Sequence, residues 1–205
     1  MEKLHIDLIN KKYRPIVFDL LLKLKRHSKE SYEHSLDVAV KAVLIARSLE
    51  VEGDDLETLY TASLLHDIGK LYIDKSLLHK KNATDAEKEF IQMGHIEGTK
   101  VILEKYFDDN IVRLATHHHE RLNSSGYPER LNAKQLDLLD RILQVADVTS
   151  ALSMKRSYQD AYEPKQVMEI LEDLIKRHEL DRKCVREIEK ICLIPHKEES
   201  QPGSN

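Results

Sequence analysis

Apolar side chains recur along this chain at three- and four-residue intervals, the period of helices that bury one face. Ile16, Leu20 and Leu24 fall into line over 16–26. Leu36, Val40, Val43 and Leu44 do the same within a longer stretch from Lys29 to Leu49. The run VEGDD breaks that stretch. Gly53 is expected to stop the helix, with Asp54 or Asp55 capping the next one over 55–66. HDIGK ends that helix at Gly69, and a looser segment, LYIDKSLLHKKNA, follows. Thr84, with Glu87 three residues on, reads as a capping box for a helix over 84–106. A helix over 109–119, a loop over 120–131 and a strongly amphipathic helix from Lys134 to Leu152 come next. Pro164 suits the first turn of a helix reaching Lys176, and a last short helix covers 181–191. The tail PHKEESQPGSN is polar and expected to be disordered. The pattern predicts an all-α, compact single-domain bundle of about seven or more helices. Its parts are a helical segment at 1–28, the main domain at 29–177, and a C-terminal helix with a polar tail at 178–205.

Composition agrees. Of 205 residues, 41% are hydrophobic, enough for a core, and the 6 glycines and 5 prolines are too few to favour a loop-rich or sheet-rich fold. The net charge of −4 is spread in mixed signs with no basic stripe, which argues against polymeric nucleic acid but leaves room for a small anionic ligand. The N-terminus has no apolar h-region, and no segment reaches the roughly 18 apolar residues of a membrane span. A cytoplasmic protein is the expectation. Cys184 and Cys192 match no zinc or redox spacing and read as reduced thiols.

The candidate chemistry lies in the 11 histidines. His5, His27, His79, His117, His178 and His196 show no pattern; surface or satisfied core positions account for them. The others stand differently. His34 sits inside an amphipathic helix, His66 precedes Asp67 at the end of an apolar one, His95 is mid-helix, and His118 and His119 close a helix before a loop. Asp147 lies in the apolar run ILQVADVTSAL. A carboxylate there would be buried at high cost unless paired, by an arginine from another helix or by a cation. Asp67 raises the same question. Two buried acids and several helix-borne imidazoles can satisfy one another by sharing cations. A thiolate-free set of this kind suits iron, manganese or a similar divalent metal. Two such ions about 3.5–4 Å apart suit displacement at phosphorus. Glu30, four residues before His34, shares its helix face and could extend the site.

In chain order, His34, HDIGK (66–70), His95, HHE (118–120), GYP (126–128) and Asp147 resemble the HD-GYP branch of the HD-domain metal-dependent phosphohydrolases. The similarity runs from about Lys29 to Leu171. It implies that Asp67 bridges two metals, iron or manganese. His34, His66 and Asp147 would complete one site, and His95, His118 and His119 the other. Glu30 matches a position that binds a third ion in some members. The resemblance implies hydrolysis of cyclic di-GMP to linear pGpG and on to GMP, by a hydroxide bridging the metals. Lys70 would stabilise phosphate charge, Arg156 would contact a ligand phosphate, and Tyr127 would lie against the ligand at the end of a turn opened by Gly126 and stiffened by Pro128. His117 matches no ligand position.

The chain also departs from the family pattern. NSSGYP stands for DGSGYP, the segment after HDIGK lacks its proline and Pro-Gly pair, and Ser150 and Ser157 replace a common acid and a proline. These changes fall on substrate loops while the ligand set is intact. They keep two alternatives open: hydrolysis of another nucleotide or phosphate ester, and a weakly catalytic module that binds metal and a cyclic dinucleotide. A homodimer or a signalling-protein partner is compatible with either. No fused sensor, receiver or cyclase domain is expected.

Overall fold

The computed structural model describes residues 5–155 and 160–193. Among the described residues there are nine α-helices and no strand, only an isolated bridge between Asn123 and Asn132, so the all-α expectation holds. None of these helices is long and apolar enough to cross a membrane.

Helix α1 (Arg14–His27) opens on Pro15 and closes on Lys25, Arg26 and His27, the charges a helix C-terminus favours. Ser28 ends α1 and caps α2 (Lys29–Ser48) by accepting the Ser31 N–H, so the chain turns a corner on one residue. The buried stripe of α2 is not the expected one. Ser35, Val38, Ala39, Ala42, Val43, Ile45 and Ala46 face inward, while Leu36, Val40 and Leu44 are only half-buried. Small side chains let α3 and α7 pack closely on α2, and nearness outweighs side-chain size. The stop after α2 is also displaced. Glu50 takes the left-handed conformation (φ 62°), with its N–H on Arg47 O and the Val51 N–H on Ala46 O, which is a Schellman closure. Glu52 then precedes α3 (Gly53–Leu65), so Gly53 opens that helix and the aspartates fall in its first turn rather than at its cap.

A 3-10 turn (Ile68–Tyr72) leads to the short helix α4 (Lys75–Leu78), where only a loose segment was predicted. The Thr84–Glu87 capping box forms as read and starts α5 (Asp85–Leu103). The 3-10 turn packs against α5 at two glycines. A Cβ on Gly98 would come 2.9 Å from Gly69 O, so the backbones themselves are in contact. Helix α6 (Asp109–Thr116) ends three residues sooner than predicted, leaving all three histidines beyond it. Helix α7 (Leu138–Ser153) starts four residues later than predicted, because Asp137 and Asp140 form a capping box there. Helices α8 (Pro164–Lys176) and α9 (Arg182–Ile188) complete the bundle. One apolar core draws on α1, α2, α3, α5, α6, α7, α8 and α9. Cys184 is buried in it, and burial pushes its thiol up to about 12, which keeps it protonated and unreactive.

Candidate metal centre

Five segments deliver the candidate ligands to one place. His34 comes from α2, His66 and Asp67 from the end of α3, His95 from α5, His118 and His119 from the turn after α6, and Asp147 from α7. Two triads result, His34–His66–Asp67 and His95–His118–His119, each with its ligand atoms within 4.8 Å of one another. They adjoin, since the His66 and His118 ring centroids are 4.7 Å apart. Asp67 lies between them. Its Oδ2 is 3.9 Å from His34 Nε2 and 3.5 Å from His66 Nε2, while its Oδ1 is 3.9 Å from His95 Nε2. Asp147 closes the first group, with Oδ1 2.9 Å from His34 Nε2 and 3.8 Å from His66 Nε2.

The residues fit a metal on their own evidence. Nδ1 of His66, His95 and His118 lies 2.8, 2.8 and 2.7 Å from the main-chain carbonyls of Ser63, Ile91 and Ala115. A carbonyl only accepts, so Nδ1 carries the proton and Nε2 is left with a lone pair. All three Nε2 atoms are buried and make no hydrogen bond. Buried lone pairs converging beside two carboxylates, with no donor to meet them, are what a cation would satisfy.

The electrostatics of His118 and His119 point the same way, while burial would lower His66 but Asp67 and Asp147 outweigh it and raise its pKa. Burial lowers the pKa of His118 and His119 well below the usual imidazole value, with neighbouring histidines adding to it, so both rings stay neutral. Burial alone would raise Asp67, but Lys70, His66 and His34 outweigh it and hold the carboxyl far below its ordinary range. Burial would raise Asp147 too, and His34, His66 and His118 overcome it. Lys70 Nζ sits 2.6 Å from Asp67 Oδ2.

The remaining predicted residues divide. Tyr127 is stacked on His119, centroids 4.8 Å apart, and burial pushes its phenol up, so it stays a donor at the rim. Glu30 joins neither triad; it is half-buried on the wall of a neighbouring cavity that Lys70 also lines. Arg156 and Ser157 lie outside the described residues. His117 turns away from the cluster, with Nδ1 3.4 Å from Asp140 Oδ1. Gly126, expected to open the turn, does not take a positive φ. It is glycine for room, since a Cβ there would lie 2.5 Å from the backbone of His119, Glu120 and Arg121. The Tyr127–Pro128 peptide is cis.

Three residues have supporting roles that the sequence reading did not assign. Thr99 Oγ1 donates to His66 O and accepts the Gly69 N–H, both at 3.0 Å, pinning the HD turn to α5. Its position four residues after His95, on the same helix face, was the available signal. Ser150 Oγ lies 2.9 Å from His34 Nδ1, so the residue that departs from the family pattern backs a candidate ligand. Glu120 is fully buried and accepts N–H groups from Glu129, Arg130 and Leu131 at 2.6, 3.1 and 2.9 Å. That carboxylate ties the GYP turn into place, and no local pattern announces it.

Known proteins are similar to this chain in sequence and in fold. The profile of the family described as HD domain matches residues 15–184. A 3′3′-cGAMP-specific phosphodiesterase 3 of Vibrio cholerae is 34% identical over 174 residues, 84% of this chain and 38% of that protein. A cyclic di-GMP phosphodiesterase of Pseudomonas aeruginosa is 32% identical over 144 residues, 69% of this chain and 35% of its own length. The chain thus spans 35–38% of these two curated relatives. In solved structures, an HDG"Y"P protein from Bdellovibrio bacteriovorus superposes with a TM-score of 0.64 at 20% identity, over 77% of this chain and 51% of that one. The HD domain of the L. monocytogenes phosphodiesterase PgpH, solved with cyclic-di-AMP, gives 0.64 at 16% identity over 84% and 92%. At such identities the two structures show a common fold. With the profile covering most of the chain and the ordered HDIGK, HHER and SGYP motifs bearing out the resemblance, the chain belongs to the HD-domain family.

Proposed function

We propose that this chain is a metal-dependent phosphodiesterase that opens a cyclic dinucleotide. His34, His66, Asp67 and Asp147 would hold one divalent cation, and His95, His118, His119 and the second oxygen of Asp67 the other. The observation that carries this reading is the placement of Asp67, whose two oxygens face different histidine groups at 3.5–3.9 Å. A carboxylate so placed suits shared ligation. Imidazoles and carboxylates without thiolate suit iron or manganese. When bound, such a pair supplies Lewis acidity at phosphate oxygens and a water acidified toward neutral pH.

The chain's own groups do the rest. Burial keeps His118 and His119 neutral and so available as ligands. Lys70, half-buried beside Asp67, offers an ammonium where negative charge builds on phosphorus. Tyr127 holds a protonated phenol against the ligand edge, and Arg156, by its place in the sequence, would meet a phosphate. Glu30 is proposed for a third cation, one helical turn from His34.

Cyclic di-GMP, opened to linear pGpG and on to GMP, is the first substrate to test. 3′3′-cGAMP is the second, because relatives 32–34% identical carry its name. Protein purified without oxygen and loaded with iron or manganese is incubated with each, and the nucleotides are separated over time. The wild type should release the linear dinucleotide. Asp67→Ala should release none above the metal-free blank and should retain less metal. Full metal occupancy without product from either compound would overturn the substrate class and turn attention to other phosphate esters.

A further inference from the structure

We infer that a cavity beside the metal cluster, between the start of α2, helix α4 and the first turns of α5, receives the nucleotide half of the substrate that is not being cleaved. Lys81 and the apolar floor of this cavity then set how tightly a cyclic dinucleotide is held. The inference rests on the phosphodiesterase reading above and extends it to residues outside the ligand set.

The cavity holds about 310 Å³. That is near the lower end of small-molecule sites, roughly 300–1,000 Å³, and suits one nucleotide better than two. Lys70 is part of its wall, and its Nζ lies 2.6 Å from Asp67 Oδ2. Lys70 is thus shared between the cavity and the candidate metal cluster, and a ligand with its phosphate at the cluster could extend toward the cavity. Leu77, Leu78, Ala83 and Ile91 give it an apolar, half-buried surface against which a flat base can lie. Ser31 of α2 and Gln92 of α5 supply hydrogen-bonding groups to its lining.

Its cations are not equivalent. Lys70 is answered by Asp67, Lys80 by Glu87 at 2.7 Å, and Lys88 by Asp85 at 3.2 Å. Lys81 lines the same cavity and is exposed, and nothing among the described residues gives it a hydrogen bond or an ion pair. An ammonium without an acidic partner, beside an apolar floor and a phosphate-directed site, is placed for the second phosphate of a cyclic dinucleotide. The segment that builds this wall is held as α4, with Asp74 accepting the Ser76 N–H at 2.7 Å as the cap.

Two variants test the inference. Ala83→Trp fills the cavity, and Lys81→Glu, on an exposed side chain, reverses its uncommitted charge. Each is compared with the wild type in metal content, thermal unfolding and steady-state hydrolysis of cyclic di-GMP, 3′3′-cGAMP and the small diester bis(p-nitrophenyl) phosphate. Both should lower kcat/KM for the cyclic dinucleotides by about tenfold or more while leaving the small diester unchanged, the signature of lost remote binding. Unchanged cyclic dinucleotide kinetics in the properly folded Lys81→Glu protein would overturn the subsite and leave the proposed activity standing. Wild-type protein that cleaves the small diester but neither cyclic dinucleotide would overturn the substrate reading and the subsite with it. Equal losses on all three substrates would also overturn it, because the effect would then lie in the metal cluster.

Discussion

The candidate ligands and the loop that carries Tyr127 are built in contrasting ways. The ligands ride on or directly follow helices, and three of their rings are locked from behind by main-chain carbonyls at 2.7–2.8 Å. The loop over 120–137, beyond the last histidine ligand, has almost no regular structure and depends on a few polar ties, chiefly Glu120 to Glu129, Arg130 and Leu131. Ring positions set by helix register tolerate substitution elsewhere, because the backbone that places them is fixed by core packing. A loop held by single hydrogen bonds has no such redundancy, yet this loop carries the NSSGYP changes. The ligand cluster and the loop should therefore respond separately to mutation.

The largest separation is expected from Glu120→Gln. The glutamine oxygen can keep part of the three-fold acceptance, but its amide N–H₂ then faces a main-chain N–H. One charged acceptor is lost and a donor is left buried. A loss of about 3 kcal/mol is expected, read by urea unfolding. Metal content at saturating iron or manganese should stay at the wild-type level, because no candidate ligand touches this carboxylate. Metal loss in step with stability would join the two regions into one unit and remove the contrast.

Asp140 tests the frame around the loop. It sits at the start of α7, buried, and accepts from Arg113 of α6 at 2.6 Å and from the Asp137 N–H at 3.0 Å. Burial raises its carboxyl, but His117, Arg113 and the Asp137 N–H outweigh that and hold it below the ordinary value. A carboxyl lowered in the folded state contributes stability above its unfolded pKa of about 3.9, and that contribution fades as pH falls through the lower folded value. Asp140→Asn should thus cost about 2 kcal/mol at neutral pH, less than a fully buried pair because Arg113 is partly exposed. The gap to wild type should narrow as the pH falls below about 4. A gap that stays constant through that range would show that Asp140 acts by shape alone.

Much of the fold was legible because helix caps and helix period are local. Thr84 with Glu87 and Pro164 gave element starts that the structure keeps. The motif order located the cluster because the spacing between HDIGK, His95 and HHE is written into the chain. What escaped depends on distance in space. Periodicity ranks side chains by apolarity, so it chose Leu36 and Leu44 over Ala39 and Ala42, whose smallness is what the neighbouring helices use. The three histidines looked like a helix end, yet α6 stops at Thr116 and the turn beyond it sets their directions. Thr99, Ser150 and Glu120 act through partners 33, 116 and up to 11 residues away, and no window along the chain reports such pairings.

The smallest predicted effect bears most directly on the altered loop. Ser124 has φ 64°, in the left-handed region, at the position where the family pattern carries the glycine of DGSGYP. An L-residue with a Cβ pays about 1–2 kcal/mol there, partly offset by the freedom glycine would regain on unfolding. Asn123 beside it fixes the local shape, accepting the Ser125 N–H at 3.0 Å and donating to Arg177 O at 2.8 Å, so the backbone need not move to accept a glycine. Ser124→Gly should therefore stabilise the protein by about 0.5–1 kcal/mol in urea unfolding. Because the gain lies in the loop and not in the ligand cluster, metal affinity should be unchanged. A destabilised Ser124→Gly protein would mean that the serine side chain makes a contact worth more than the strain it imposes, and the loop would then have adapted to its substitutions rather than merely tolerated them.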